Sequence, residues 1–170
     1  LQSGSDRILA AMHRGYNAAR FLSRLEMARR VVPRLAVSTD IIVGFPGETE
    51  EDFARTLEVV AAARFDQAFT FQYSARPGTV AAELDGQVEK AVVQERFARL
   101  VQLQNQISLE RNEEMVGTIE EVLVEGPSKK DPAVLTARTR GNKPVHVAGS
   151  DAPGTYLQAE ITRAAPHHLM

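Results

Sequence analysis

The stretch LAVSTDIIVGFPGETEEDF, residues 35 to 53, restricts what this 170-residue chain can fold into more than any other part of it. Residues 35 to 45 are mostly apolar, rich in β-branched side chains and too long for a turn, and they stop at Pro46-Gly47. That pattern predicts a strand covered on both faces. Thr49 follows in an N-cap position, with Asp52 three residues on where a capping box needs it, and Glu50 and Glu51 sit where a helix dipole favours negative charge. Phe53, Leu57, Val60 and Ala61 give that helix an inner stripe reaching to about Ala63. FDQAFTFQYS, residues 65 to 74, then returns as a second strand. Strand, helix and strand with short connections make a βαβ unit, so the two strands are expected parallel and the crossover right-handed.

The flanks extend the pattern and then break it. Asn17 is placed to cap a helix with Phe21, Leu25, Ala28 and Val32 on one stripe, stopped at Pro33. After a loop with turn residues at Pro77-Gly78 and Asp85-Gly86 comes an amphipathic helix, roughly Val88 to Met115, with Val93, Phe97, Leu100 and Ile107 on one face and Gly117 closing it. Beyond it GTIEEVLVEG, AVLTARTR, KPVHVAG and GTYLQAEITRA are short alternating segments separated by Gly, Pro, Asp and Asn. Four or five short strands there predict a small, closed β-barrel. The fold class is therefore α/β, followed by a small all-β domain, with the division at residues 115/116.

Composition removes several function classes. Twenty Lys and Arg against 22 Asp and Glu leave a net charge of −2, so binding to nucleic acid must come from a local patch. No apolar run reaches the roughly 18 residues of a membrane span, and the N-terminal segment lacks a signal-peptide layout, which predicts a soluble cytoplasmic protein without membrane contacts. The chain has no cysteine, so it holds no disulfide, thiolate zinc site or thiolate-bound iron–sulfur cluster of its own. No two histidines have the helical i, i+4 spacing of a metal pair, and His167 and His168 are expected in a solvated, frayed tail.

Ligands of α/β sheets collect at the carboxyl ends of the strands, where Gly44 to Thr49 falls. Gly44 and Gly47 would let the backbone approach a ligand, while Glu48, Glu50, Glu51 and Asp52 would repel a phosphate, so a ligand with a positive group fits better; a bare strand-to-helix turn is the alternative. Asp40 lies mid-strand on the face of Ile42 and Gly44, where a buried carboxylate needs a wet cavity or a hydrogen-bond network. QSGSD, residues 2 to 6, reads as a helix cap at Ser5 or Asp6, or as the lip of a second strand of the same site. Lys129, Lys130, Arg138, Arg140 and Lys143 cluster within a few turns and strands, opposed only by Asp131, and form a candidate RNA-binding patch or else a solvated face.

LQSGSDRILAAMHRGY, STDIIVGFPGETEEDF, FTFQYSARPGTVAA and LQNQISLERNEEMVG, in this order, resemble the latter half of the radical S-adenosylmethionine domain of the methylthiotransferases. EVLVEGPSKKDPAVLTARTRGNKPVHV resembles the TRAM domain that follows it, and GPSKKDP with RTRGNK is closest to the MiaB type, which modifies tRNA. The resemblance implies a partial TIM-like (β/α) barrel over residues 1–115 and an OB-like TRAM barrel over residues 116–170. It implies transfer of a methylthio group to carbon 2 of isopentenyladenosine beside the anticodon, with S-adenosylmethionine as cofactor. Siblings of the family act on threonylcarbamoyladenosine or on a ribosomal-protein aspartate, and a non-catalytic RNA-binding adaptor is the reading of another class. By the same resemblance Gln2, Ser3, Gly4 and Ser5 match the end of the fourth barrel strand. Gly44, Phe45, Gly47 and Glu48 match the end of the fifth, on which Asp40 also lies, and Tyr73 and Ser74 match the end of the sixth, all as cofactor-binding residues. The two [4Fe–4S] clusters of such enzymes are held by cysteines that this chain lacks. The chain is then expected to be a C-terminal fragment, inactive alone, that binds no cluster and associates with the missing N-terminal half through the uncovered faces near residues 35–45 and 65–74.

Overall fold

The computed structural model describes residues 1–129 and 131–170, in two compact units, residues 1–104 and 105–170. The first unit runs α1 (Asp6–Ala11), α2 (Ala18–Val31), β1 (Ser38–Val43), α3 (Glu50–Ala63), β2 (Gln67–Gln72), α4 (Val80–Glu83) and the greater part of α5 (Lys90–Glu113). β1 and β2 pair in parallel, Ser38 opposite Gln67 through Val43 opposite Gln72. Local chemistry sets the helix starts. Asn17 accepts the Arg20 N–H at 2.8 Å, and Thr49 and Asp52 close the capping box in front of α3. α3 ends at Arg64, whose left-handed backbone (φ 46) hands the chain to β2.

The core of this unit gathers Ile8, Leu9, Ile41, Val43, Phe53, Val60, Phe65 and Leu100. Two sequence expectations change here. β1 is covered on one face only: Thr39, Ile41 and Val43 are buried, whereas Ser38 and Asp40 are exposed. Its neighbours on the open face, Phe69 and Phe71 of β2, are 49% and 51% exposed. The polar alternates Ser38 and Asp40 carried this signal, and the surrounding β-branched residues masked it. In α3 the buried stripe is Phe53, Thr56, Val59, Val60 and Ala63, so the contact face lies to one side of the Leu57 and Ala61 expected from apolar spacing alone. α4 is one turn in what the sequence reads as loop.

The second unit begins within α5 and continues through β3 (Ile119–Pro127), β4 (Val134–Thr139), β5 (Pro144–Ala148), β6 (Tyr156–Glu160), β7 (Ala164–Ala165) and β8 (His168–Leu169). These form one six-stranded sheet in the order β6-β3-β4-β5-β8-β7, with no ladder between β6 and β7 among the described residues. Alternate residues of the strands meet in one core of Val122, Ala137, Val145, Ala159, Ile161 and Leu169. A register shift between Val124 and Gly126 bends β3 across its partners. The tail is not frayed. Ala165 pairs with His168, Leu169 is fully buried, and the His168 ring meets His146 edge-on at 4.9 Å. A single apolar residue inserted into the core and the backbone bonds between Arg163 and Met170 hold this end. Among the described residues no helix is long and apolar enough to cross a membrane.

Candidate functional site

The carboxyl ends of β1 and β2 lie side by side. The Tyr73 N–H donates to Val43 O at 2.7 Å, and the Phe45 and Tyr73 rings meet edge-on at 5.4 Å. On the other side of β1 the Ile42 N–H donates to Gln2 O at 3.0 Å, so Gln2, Gly44 and Tyr73 come from three adjacent segments. The Tyr73 hydroxyl is buried without a hydrogen-bond partner in the structure. An orphaned hydroxyl of this kind costs free energy unless a ligand or water completes it. Ser74 is exposed just beyond the tip. Asp40 stands four residues back along β1. It lines a cavity of about 620 Å³ with Leu1, Tyr16, Phe21 and Leu25 at the amino end of the strand.

The remaining candidates are engaged in holding the unit together. Ser3 and the Gly4 N–H both bond Thr56 Oγ1 of α3, and Ser5 donates to Asp52 at 2.6 Å while capping α1. Gly44 and Gly47 have φ of +80 and +79, a region L side chains avoid. At Gly44 a Cβ would strike Val93 Cγ2 of α5 at 2.4 Å, so its bareness serves packing against α5.

Each acid of GETEED meets an arginine. Glu48, buried, accepts from Arg96 at 3.0 Å and from the Gly44 N–H at 3.1 Å. Glu50 meets Arg96 at 3.1 Å and Arg99 at 2.7 Å, Glu51 meets Arg55, and Asp52 meets Arg7. Burial pushes the Glu48 carboxyl above its ordinary range, against the opposing pull of the Gly44 N–H and the Arg96 guanidinium. With every one of these carboxylates matched, their charge does not select a cationic ligand, which removes the electrostatic argument made from sequence. Partners 45 to 49 residues away carry no local signal, and the sequence pattern could not have named them.

On the outer face of the second unit Tyr156, Leu123 and Arg138 stand in one row across β6, β3 and β4. With Glu121, Thr139, Arg140 and Asn142 they line a groove of about 500 Å³. Tyr156 is 65% exposed, a platform the basic-residue count missed, although an aromatic alternating with Gln158 and Glu160 marked it. The five candidate cations are not one open patch. Arg138 pairs with Glu125 at 2.8 Å, the Lys143 ammonium donates to Asn112 at 2.7 Å, Lys129 and Arg140 are exposed, and Lys130 lies outside the described residues.

Residues 1–60 match the Radical SAM superfamily, and residues 113–170 match the TRAM domain. Both matches fall on one chain, a radical SAM segment followed by a TRAM domain. Over its whole length it is 57% identical to proteins named tRNA-2-methylthio-N(6)-dimethylallyladenosine synthase from Mycolicibacterium paratuberculosis and Mycobacterium ulcerans, covering 34% and 33% of them. It is 56% identical to the protein of that name from Mycobacterium bovis, again covering 34%. The chain thus spans about a third of the length of the curated relatives it matches. The radical SAM family implies S-adenosylmethionine and iron–sulfur chemistry. The radical SAM segment has no thiolate, so its donors do not fit a cluster. What the segment offers a nucleoside is a buried, orphaned hydroxyl at Tyr73 beside the strand tips, with Phe69, Phe71 and Asp40 exposed on the open face of β1 and β2.

Proposed function

We propose that this chain is the C-terminal part of an enzyme that places a methylthio group on carbon 2 of dimethylallyladenosine beside the anticodon of tRNA in the cytoplasm. The reading is carried by the 56–57% identity over the whole chain to proteins named for that product. Residues 1–115 supply barrel strands and helices, and residues 116–170 a TRAM domain that grips the anticodon stem-loop. The two [4Fe–4S] clusters sit on cysteines outside this chain, in the N-terminal half of the enzyme. S-adenosylmethionine supplies a deoxyadenosyl radical when bound, and the part of this chain is to hold and orient it. The Tyr73 hydroxyl donates to a polar atom of the nucleoside, and Asp40 accepts from its aminoacyl ammonium or ribose. Gly44, Phe45, Gly47 and Glu48 shape the tip against which it lies, with Ser74 at its rim, and Gln2 to Ser5 brace the neighbouring edge.

In the TRAM domain Lys129, Lys130, Arg138, Arg140 and Lys143 supply positive charge for the RNA phosphates, and the Tyr156 ring stacks on an unpaired base. The test is nucleoside mass spectrometry on tRNA from cells lacking the gene and supplied with the full-length protein. Wild type restores the methylthio group on dimethylallyladenosine. The double variant Tyr73→Phe/Asp40→Ala leaves the unmodified nucleoside to accumulate. A methylthio group appearing instead on threonylcarbamoyladenosine, or on a ribosomal-protein aspartate, would refute the substrate assignment.

A further inference from the structure

The turn after β1 is held from beneath by one buried side chain. Arg96, on the second turn of α5 and 5% exposed, donates from Nη1 to Glu48 O at 3.1 Å and to Glu48 Oε1 at 3.0 Å, and from Nε to Glu50 Oε2 at 3.1 Å. Glu48 Oε1 passes this on by accepting the Gly44 N–H, the first amide beyond the strand. The guanidinium plane also lies 5.8 Å from the Phe53 ring centroid, which fixes its height against α3. Three further contacts reach the same turn: Arg7 donates to Gly47 O at 2.6 Å, the Gly47 N–H donates to Gly86 O at 2.8 Å, and the Glu48 N–H donates to Phe45 O at 2.9 Å. None of them engages the Gly44 N–H, which Glu48 alone accepts among the described residues.

An arginine buried against one desolvated carboxylate, Glu48, and one exposed one, Glu50, costs stability unless its geometry is fully used, and an apolar side chain of similar volume would often serve a core better. Here one fork spans a carbonyl and two carboxylates through two separate nitrogens, a geometry an ammonium does not reproduce. The shape of the residue therefore matches a task of aiming backbone. We infer that Arg96, acting through Glu48, is a positioning residue that sets the Gly44-Phe45 backbone at the tip of β1 for the cofactor. This inference rests on the proposed assignment of the strand tips to S-adenosylmethionine. Arg96 itself lies below the turn and touches no ligand.

The experiment uses the reconstituted full-length protein and two readouts, amide hydrogen exchange over Gly44 to Glu48 and the dissociation constant for S-adenosylmethionine. Arg96→Met is expected to speed exchange at Gly44 and to weaken binding roughly tenfold or more, as loss of a supporting contact does at other sites. Arg96→Lys is expected to lose both quantities as Arg96→Met does, whereas Glu48→Gln, which keeps an acceptor for Gly44, retains part of both. Leu100→Ala, one turn further along α5 and fully buried, is the control: it lowers the melting temperature as much without moving either readout beyond its stability loss. The inference is overturned if affinity in Arg96→Met falls only as far as in Leu100→Ala at matched stability, or if Gly44 exchange is unchanged. Tyr73→Phe and Asp40→Ala separate the two layers. If they weaken binding while Arg96→Met does not, the positioning role alone has failed; if none of the three weakens it, the strand-tip assignment has failed.

Discussion

At Gly4 the reason for the residue type is geometric. A Cβ there would lie 2.5 Å from both Arg55 O and Thr56 Cα, backbone atoms of α3 that cannot swing aside. Gly4→Ala is therefore expected to cost on the order of 2–4 kcal/mol in denaturant unfolding of the full-length protein, well above an exposed Gly15→Ala, beside which nothing lies within 4 Å. Equal stability of the two variants would contradict the packing of the segment on α3. Asp52 yields a prediction in pH. Burial acts to raise its carboxyl, but hydrogen bonds from Arg7, Ser5 and Thr49 outweigh that and hold it well below the usual carboxylate range. A folded-state value below the unfolded one, which is about 3.9, gives stabilisation that is complete above the unfolded value and lost as pH falls through the folded one. Asp52→Asn should thus be clearly less stable than wild type near pH 7, with the gap closing below about pH 4. A gap independent of pH would mean that the side chain acts by shape and not by charge.

At the scale of elements, what could be read in advance was whatever a few consecutive residues decide. Asn17, Thr49 and Asp52 marked the starts of α2 and α3, and Val93, Leu100 and Ile107 marked the inner face of α5, because caps and stripes are local. The same face of α5 also buries Arg96, Gln104, Ser108 and Asn112, polar residues whose partners, such as Phe65 O for Gln104, come from elsewhere in the chain. β7 and β8 are two residues each and have no periodicity to detect. The candidate site was legible as a strand tip with glycines, and mostly illegible in its wiring, since Glu48, Glu50 and Asp52 are answered by arginines 45 to 49 residues away while Glu51 meets Arg55 one helical turn on. The row of Tyr156, Leu123 and Arg138 exists only through the register of three strands. It leads to a test by anisotropy titration of an anticodon stem-loop RNA against the full-length protein over a range of salt. Tyr156→Ala should weaken binding by about 1–3 kcal/mol with the salt slope unchanged, the signature of lost stacking. Arg140→Ala should flatten the slope by about 0.7 to 0.9. Unchanged affinity in Tyr156→Ala would exclude this face as the RNA contact.

For the whole molecule the question is where one cooperative unit stops. Apolar periodicity runs unbroken along α5, which places a boundary after it, yet the compact units divide inside the helix, at 104/105. The side chains explain why. Gln104 ties its turn to Phe65 O in the first unit, while Asn112 donates to Ala165 O at 2.7 Å and accepts from Lys143 at 2.7 Å in the second. Met115, half-buried, packs on the core around Leu169. A helix can be continuous in backbone and still divide its side chains between two cores, because hydrogen bonds along it are local whereas burial is not. A polypeptide of residues 105–170 should accordingly melt cooperatively in thermal circular dichroism. One of residues 116–170, lacking Ile107, Asn112 and Met115, should lose at least about 2 kcal/mol, the cost of removing one buried apolar side chain together with a buried hydrogen-bonded amide. Asn112→Leu in the longer piece isolates the polar share: it removes the Asn112 bonds to Ala165 O and from the Lys143 ammonium and should account for a part of the loss, but not all of it. If both lengths melted at the same temperature, the end of α5 would be ornament to the sheet, and the division after the helix would be the physical one.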